Sequence, residues 1–118
     1  MHKEPPWKPR KSFIRFRDKD GNLVLWYDRD RFNIFGRHNP HEEYRNTDAI
    51  RDCIANPDEI RQDAVNPRRL CFYRSYLAPD GFSVTMKCVI GNTIGIRVLI
   101  TVYNARPREV EIIIWKKT

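Results

Sequence analysis

The stretch Phe82-Ser-Val-Thr-Met-Lys-Cys-Val-Ile-Gly-Asn-Thr-Ile-Gly-Ile-Arg-Val-Leu-Ile-Thr-Val-Tyr103 holds two strand-like runs separated by a glycine-bearing turn. In the first, Phe82, Val84, Met86, Cys88 and Ile90 alternate with Ser83, Thr85 and Lys87. In the second, Ile96, Val98, Ile100 and Val102 alternate with Arg97, Thr101 and Tyr103. A period of two puts one set on a core face and the other on the opposite face of a sheet. The spacing therefore predicts Thr85, Lys87, Thr101 and Tyr103 together on one side. An antiparallel sheet commonly leaves such a face to water, and these residue types are ordinary occupants of it. The same face also carries hydroxyls, a phenol and a cation on a rigid support, which suits a polyanion.

Outward from this pair, residues 13–17 and 23–27 flank Asp18-Lys-Asp-Gly-Asn22, a hairpin signal. Asp28 or Asp30 is a candidate N-cap for a short helix carrying Phe32 and Phe35 and stopping at Gly36. A second helix opens at Asn46 or Thr47, faces the core through Ile50, Cys53 and Ile54, and ends before Pro57. Pro57-Asp-Glu-Ile60 reads as a turn of helix or a loop. Strands follow at 70–76, 82–90, 96–103 and 110–115, with turn residues between them that favour consecutive antiparallel pairing. The expected fold is α+β, an N-terminal hairpin and two or three short helices with a four-stranded meander. Residues 1–11, with Pro5, Pro6 and Pro9, form an extended basic arm, and 12–118 a single domain.

A chain of 118 residues can bury one core unaided. Its 22 Lys and Arg against 15 Asp and Glu give +7. Arginine predominates, and its planar fork matches phosphate oxygens in pairs, so RNA is the expected partner. An acidic protein partner, such as an inhibitor, fits the same charge. Cys53, Cys71 and Cys88 are odd in number, far apart and in apolar runs, which reads as reduced core residues. No run is long enough to span a bilayer and no amphipathic basic helix is visible, so no membrane partner is expected and the cytoplasm is the default location. No phosphate-binding glycine loop is present, and no cofactor is expected.

His38 and His41 lie in Phe35-Gly-Arg-His-Asn-Pro-His-Glu-Glu-Tyr-Arg45. Histidine exchanges protons near neutral pH, so either can act as the base or acid of phosphodiester cleavage. Metal binding is disfavoured because no further His or paired Cys completes a ligand set. Cleavage of RNA without metal needs a base, an acid and cations for the charge developing on phosphate. His38 or His41, Tyr73 or Tyr103, and Arg37 with Lys87 supply those roles. Arg45, Arg74 and Arg106 are further phosphate-binding candidates.

The order of motifs resembles phage-associated members of the barnase-EndoU-colicin-RelE nuclease superfamily. The resemblance rests on Asn33-Ile-Phe-Gly-Arg-His38, Asp48-Ala-Ile-Arg-Asp-Cys-Ile-Ala-Asn-Pro-Asp-Glu-Ile60, Leu70-Cys-Phe-Tyr-Arg74, the 84–90 strand and Ile100-Thr-Val-Tyr103. It implies a metal-independent endoribonuclease, often a toxin countered by an antitoxin or immunity protein. It also implies helices packed on one side of a curved four-stranded antiparallel sheet, with substrate on the open face. The implied site residues are Arg37, His38, Tyr73, Arg74, Thr101 and Tyr103. Asn33 stands where the family often has its first His, and His41 is the residue that can substitute.

Overall fold

Asp18 sets the first hairpin. Its Oδ1 accepts from the backbone N–H of Asp20 at 2.9 Å and of Asn22 at 2.8 Å, and Gly21 turns the chain at φ +82°. The flanking strands are β1 (Phe13–Arg17) and β2 (Leu23–Tyr27), as the alternation places them. In this computed structural model, which describes residues 13–27, 47–77, 80–93 and 95–118, there follow α1 (Thr47–Ala55), β3 (Glu59–Gln62), β4 (Arg69–Leu77), β5 (Ser83–Thr93), β6 (Ile96–Asn104) and β7 (Ile112–Lys116). The expected arm at 1–11 and the expected helix ending at Gly36 lie outside the described residues.

The seven strands form one sheet in the order β1-β2-β6-β5-β4-β3-β7. This corrects the expectation of a four-stranded antiparallel meander with two or three helices, since the sheet is mixed and the described residues contain one short helix. Three differences account for it. Residues 57–60 read as a turn of helix or a loop, but Glu59 and Ile60 belong to a strand, 59–62, paired with β4. The hairpin joins the sheet through a parallel pairing of β2 with β6, Val24 beside Arg97 and Leu25 beside Val98. And β7, expected next to β6, lies at the far edge against β3. The hairpin carries Phe16, Val24 and Trp26, all at 0–1% exposure, and such a row must be covered by more than two strands can supply.

One face of the sheet, with α1 on it, is the main core. Ile50, Cys53 and Ile54 of the helix pack there with Phe16, Val24, Trp26, Ile60, Phe72, Met86, Cys88, Ile90, Leu99 and Val102. Each fully buried large aliphatic contributes about 1.5–3 kcal/mol. Two polar ties fix the helix on β4: the Tyr76 hydroxyl donates to the Ala49 carbonyl at 2.7 Å, and Arg74 Nε meets Asp52 at 2.9 Å. All three cysteines are free and buried.

The strict alternation expected for β6 fails at one residue. Val89 pairs with Thr101 but Ile90 pairs with Leu99, so Ile100 is a bulge. Beyond it the parity inverts: Leu99 is in the main core, while Ile100 packs with Cys71, Tyr73 and Val89 on the opposite face. Ile100 thus lies on the side of Tyr103, where the period-two reading had put it opposite. Gly91 makes room for it, because a Cβ there would stand 2.9 Å from Ile100 Cδ1.

Gly91→Ala should therefore lower the unfolding free energy by about 1 kcal/mol, the low end of overpacking because the obstructing atom is the tip of a flexible side chain. Added to Ile100→Val, which removes that tip, Gly91→Ala should have no further effect on denaturant midpoints. A full penalty in the double variant would show that Ile100 is not what the glycine accommodates.

Candidate functional site

On the face opposite α1, register brings Glu59, Tyr73, Lys87 and Tyr103 into one row across β3, β4, β5 and β6. The next row holds Arg61, Cys71, Val89 and Thr101. Tyr73, Thr101, Tyr103 and Lys87, chosen from sequence, do gather on one side. They do not form an open platform. Residues 105–111, which lead from β6 to β7, cross this face and insert Glu111, whose side chain is 3% exposed.

Glu111 is held by three donors. The Tyr73 hydroxyl donates to Oε1 at 2.5 Å, the Arg108 backbone N–H to Oε1 at 3.0 Å, and Lys87 Nζ to Oε2 at 3.0 Å. The Lys87 ammonium also lies 5.5 Å from the Tyr73 ring centre and 5.4 Å from that of Tyr103, within cation–π range. Burial alone would raise the Glu111 pKa, but the hydrogen bonds from Arg108, Tyr73 and Lys87 outweigh it and hold it below the usual carboxylate value. Burial opposes the charge on Lys87, and the Glu111 partner overcomes that, leaving its pKa raised. Tyr73 is raised by burial and by donating to Glu111, so it is a proton holder at neutral pH. Burial pushes the Cys71 thiol up to about 11, away from nucleophile or ligand duty.

The other sequence-chosen residues fall elsewhere. Arg74 is committed to the fold, paired with Asp52 and donating to the Asn56 carbonyl. Thr101 and Tyr103 are half-buried and Arg106 is exposed on the crossing segment. His38, His41, Arg37 and Arg45 lie outside the described residues. Sequence reasoning missed Glu111, for which the one signal was an acid immediately before Ile112-Ile113-Ile114. Among the described residues, no three His, Cys, Asp or Glu side chains gather as a ligand set, and no helix is long and apolar enough to cross a membrane.

Beside the crossing segment is a cavity of about 330 Å³ lined by Asp63, Asn66, Arg69, Arg108, Val110 and Glu111, among others. Asp63 Oδ1 accepts from the N–H groups of Val65 and Asn66 at 2.8 and 2.9 Å, hydrogen bonds that lower the Asp63 pKa. Arg68 and Arg69 are exposed at the start of β4, and Arg106 and Arg108 are exposed nearby. No family model, curated protein or solved structure matches the chain.

Removing one member of the buried pair leaves the other charge without a partner. Glu111→Ala should cost about 3–5 kcal/mol in chemical denaturation, and Lys87→Met with Glu111→Leu should recover most of it. The pair also sets a pH dependence. A lowered Glu111 pKa gives stability that is present above the unfolded value of 4.5 and lost as pH falls through the folded one. The raised Cys71, Tyr73 and Lys87 act oppositely: their contributions hold below the unfolded values of 9.0, 10.0 and 10.5 and are lost as pH rises. Denaturation midpoints should fall at both extremes, and the acid loss should be smaller in the Lys87→Met/Glu111→Leu variant.

Proposed function

We propose that this chain is an RNA-binding domain that grips the phosphate backbone through arginines at the rim of the crossing segment. The observation that carries this reading is how the charges are distributed. Asp18, Asp20, Asp48, Asp52, Glu59 and Glu111 are each paired with a Lys or Arg inside the domain. Arg68, Arg69, Arg106, Arg108, Lys116 and Lys117 are exposed and have no carboxylate partner among the described residues. The cations left over among the described residues are thus presented outward. Arg69 and Arg108 line one cavity, Arg61 Nη1 donates to the Arg108 carbonyl at 2.9 Å, and Arg68 sits beside Arg69. Guanidinium groups so grouped suit successive phosphates of a flexible strand. An acidic protein partner of the kind the resemblance implies meets the same arginines and competes with RNA.

RNA cleavage, the activity the resemblance implies, is a second reading with one observation in its favour: Tyr73, Lys87 and Tyr103 share a row. In the structure the first two serve Glu111, so cleavage through them requires the crossing segment to lift. Incubation of labelled RNA with the wild-type chain in EDTA separates the readings. Product that falls about 10²- to 10⁴-fold in His38→Ala with affinity unchanged supports cleavage. No product from the wild type leaves binding alone.

Binding to single-stranded RNA should weaken linearly on a log–log salt plot, by roughly 0.7 per phosphate contacted. Arg69→Ala with Arg108→Ala should flatten that slope by about 1.4. No binding at low salt, or an unaltered slope in the double variant, refutes the assignment of these arginines.

A further inference from the structure

The turn after β1 meets β7, the strand at the opposite edge of the sheet. Lys19, in the turn after β1, places its ammonium 4.5 Å from the ring centre of Trp115 on β7. At this seam, and at the C-terminal end of α1, is a cavity of about 360 Å³ lined by Lys19, Ala55, Asn56, Pro57, Trp115 and Lys117. Among the described residues, no acidic side chain lines it. It therefore joins an aromatic ring, a carboxamide and two ammonium groups around a space of nucleoside size.

The geometry points to this seam as a subsite for one unstacked base of single-stranded RNA, a refinement that rests on the RNA-binding reading above. The base lies on Trp115, and Lys19 and Lys117 meet the phosphates on either side of it. Every base has a π-face, so the ring supplies a stacking surface that is indifferent to sequence. Asn56 Nδ2 is taken by Asp52 at 3.0 Å, which leaves its Oδ1 as the acceptor for a base amino group. Lys19 covers the ring, and among the described residues its ion-pair partner is Asp20, an exposed one at 2.9 Å. A partly exposed cation–π contact is worth about two- to 30-fold and stacking of a base on an aromatic side chain about 5- to 150-fold, so a base competes with the ammonium for the ring and, on taking it, leaves the ammonium free for phosphate. The support is rigid. Trp115 packs on the main core, and the Lys117 backbone N–H is fixed to the Asp58 carbonyl at 2.8 Å.

The test compares a ten-nucleotide oligoadenylate with an abasic strand of the same length and charge. The wild-type chain should bind the first about 5- to 150-fold more tightly, with quenching of tryptophan fluorescence that the abasic strand does not produce. Trp115→Ala should bring oligoadenylate down to the abasic affinity without changing the salt slope, and Trp115→Phe should keep most of the difference. Lys19→Gln with Lys117→Gln should flatten the slope by about 1.4 for oligoadenylate, with base discrimination retained. Equal wild-type affinity for the two strands overturns the subsite and leaves RNA binding standing. Binding of neither strand at low salt overturns both.

Discussion

The carboxylate of Glu111 pins the segment that closes this fold. From β6 to β7 the chain must pass β5, β4 and β3, four strand spacings or about 19 Å. Residues 105–111 with their two flanking steps reach at most about 28 Å when fully extended. So little slack forces the segment to lie on the sheet, where a loop's polar groups need partners. It finds them: the Ala105 N–H donates to the Thr85 carbonyl, the Arg108 carbonyl accepts from Glu111 N–H and from Arg61, and the Glu111 side chain takes Tyr73, Lys87 and Arg108 N–H. A glutamate with that donor set can be buried as an anion, which an unpaired one could not.

The consequence is a sheet with two unlike faces. One carries α1 and a continuous apolar core; the other carries Cys71, Tyr73, Val89, Ile100 and Tyr103 around a buried ion pair. The edge strand β7 reaches the main core through Trp115, while Ile112, Ile113 and Ile114 are 58, 52 and 53% exposed. Its burial is limited because β7 has a single strand neighbour, and Ile114 is an extra residue against β3. Lys116 and Lys117 directly follow, charges of the kind that discourage further pairing at an open edge.

Local pattern was enough for much of this. The hairpin strands, the helix face of Ile50, Cys53 and Ile54, and the antiparallel neighbours β4, β5 and β6 follow from periodicity and turn chemistry acting over a few residues. What failed depends on distance or on single-residue exceptions. The parallel contact of β2 with β6 joins residues more than 70 positions apart with no turn to announce it. The bulge at Ile100 inverts a parity that the sequence presents as unbroken. Strand β3 is four residues long and follows a proline, so it resembles a turn. In the candidate site, the gathering of Tyr73, Lys87 and Tyr103 was legible from alternation. Their engagement by Glu111 was not, because nothing local tells whether a strand's polar face meets water or a returning loop.

That engagement decides which charges remain for a partner. Lys87, the one cation at the centre of the sheet, is neutralised by Glu111, and Arg97 and Arg74 are drawn to Asp18 and Asp52 to tie the hairpin and the helix to the sheet. These internal acids therefore occupy Lys87, Arg97 and Arg74, and the cations without a carboxylate partner among the described residues include Arg68, Arg69, Arg106, Arg108, Lys116 and Lys117, all exposed. Exposed arginines keep their side-chain freedom until a ligand orders them, and their attraction to phosphate is screened by salt in a way that a buried pair's is not. On the RNA-binding reading proposed above, a strand held at the rim follows the contour of the sheet rather than entering its centre. Chemistry at the central row becomes available only in a state where residues 105–111 have left it, and that state must first give up the Glu111 hydrogen bonds.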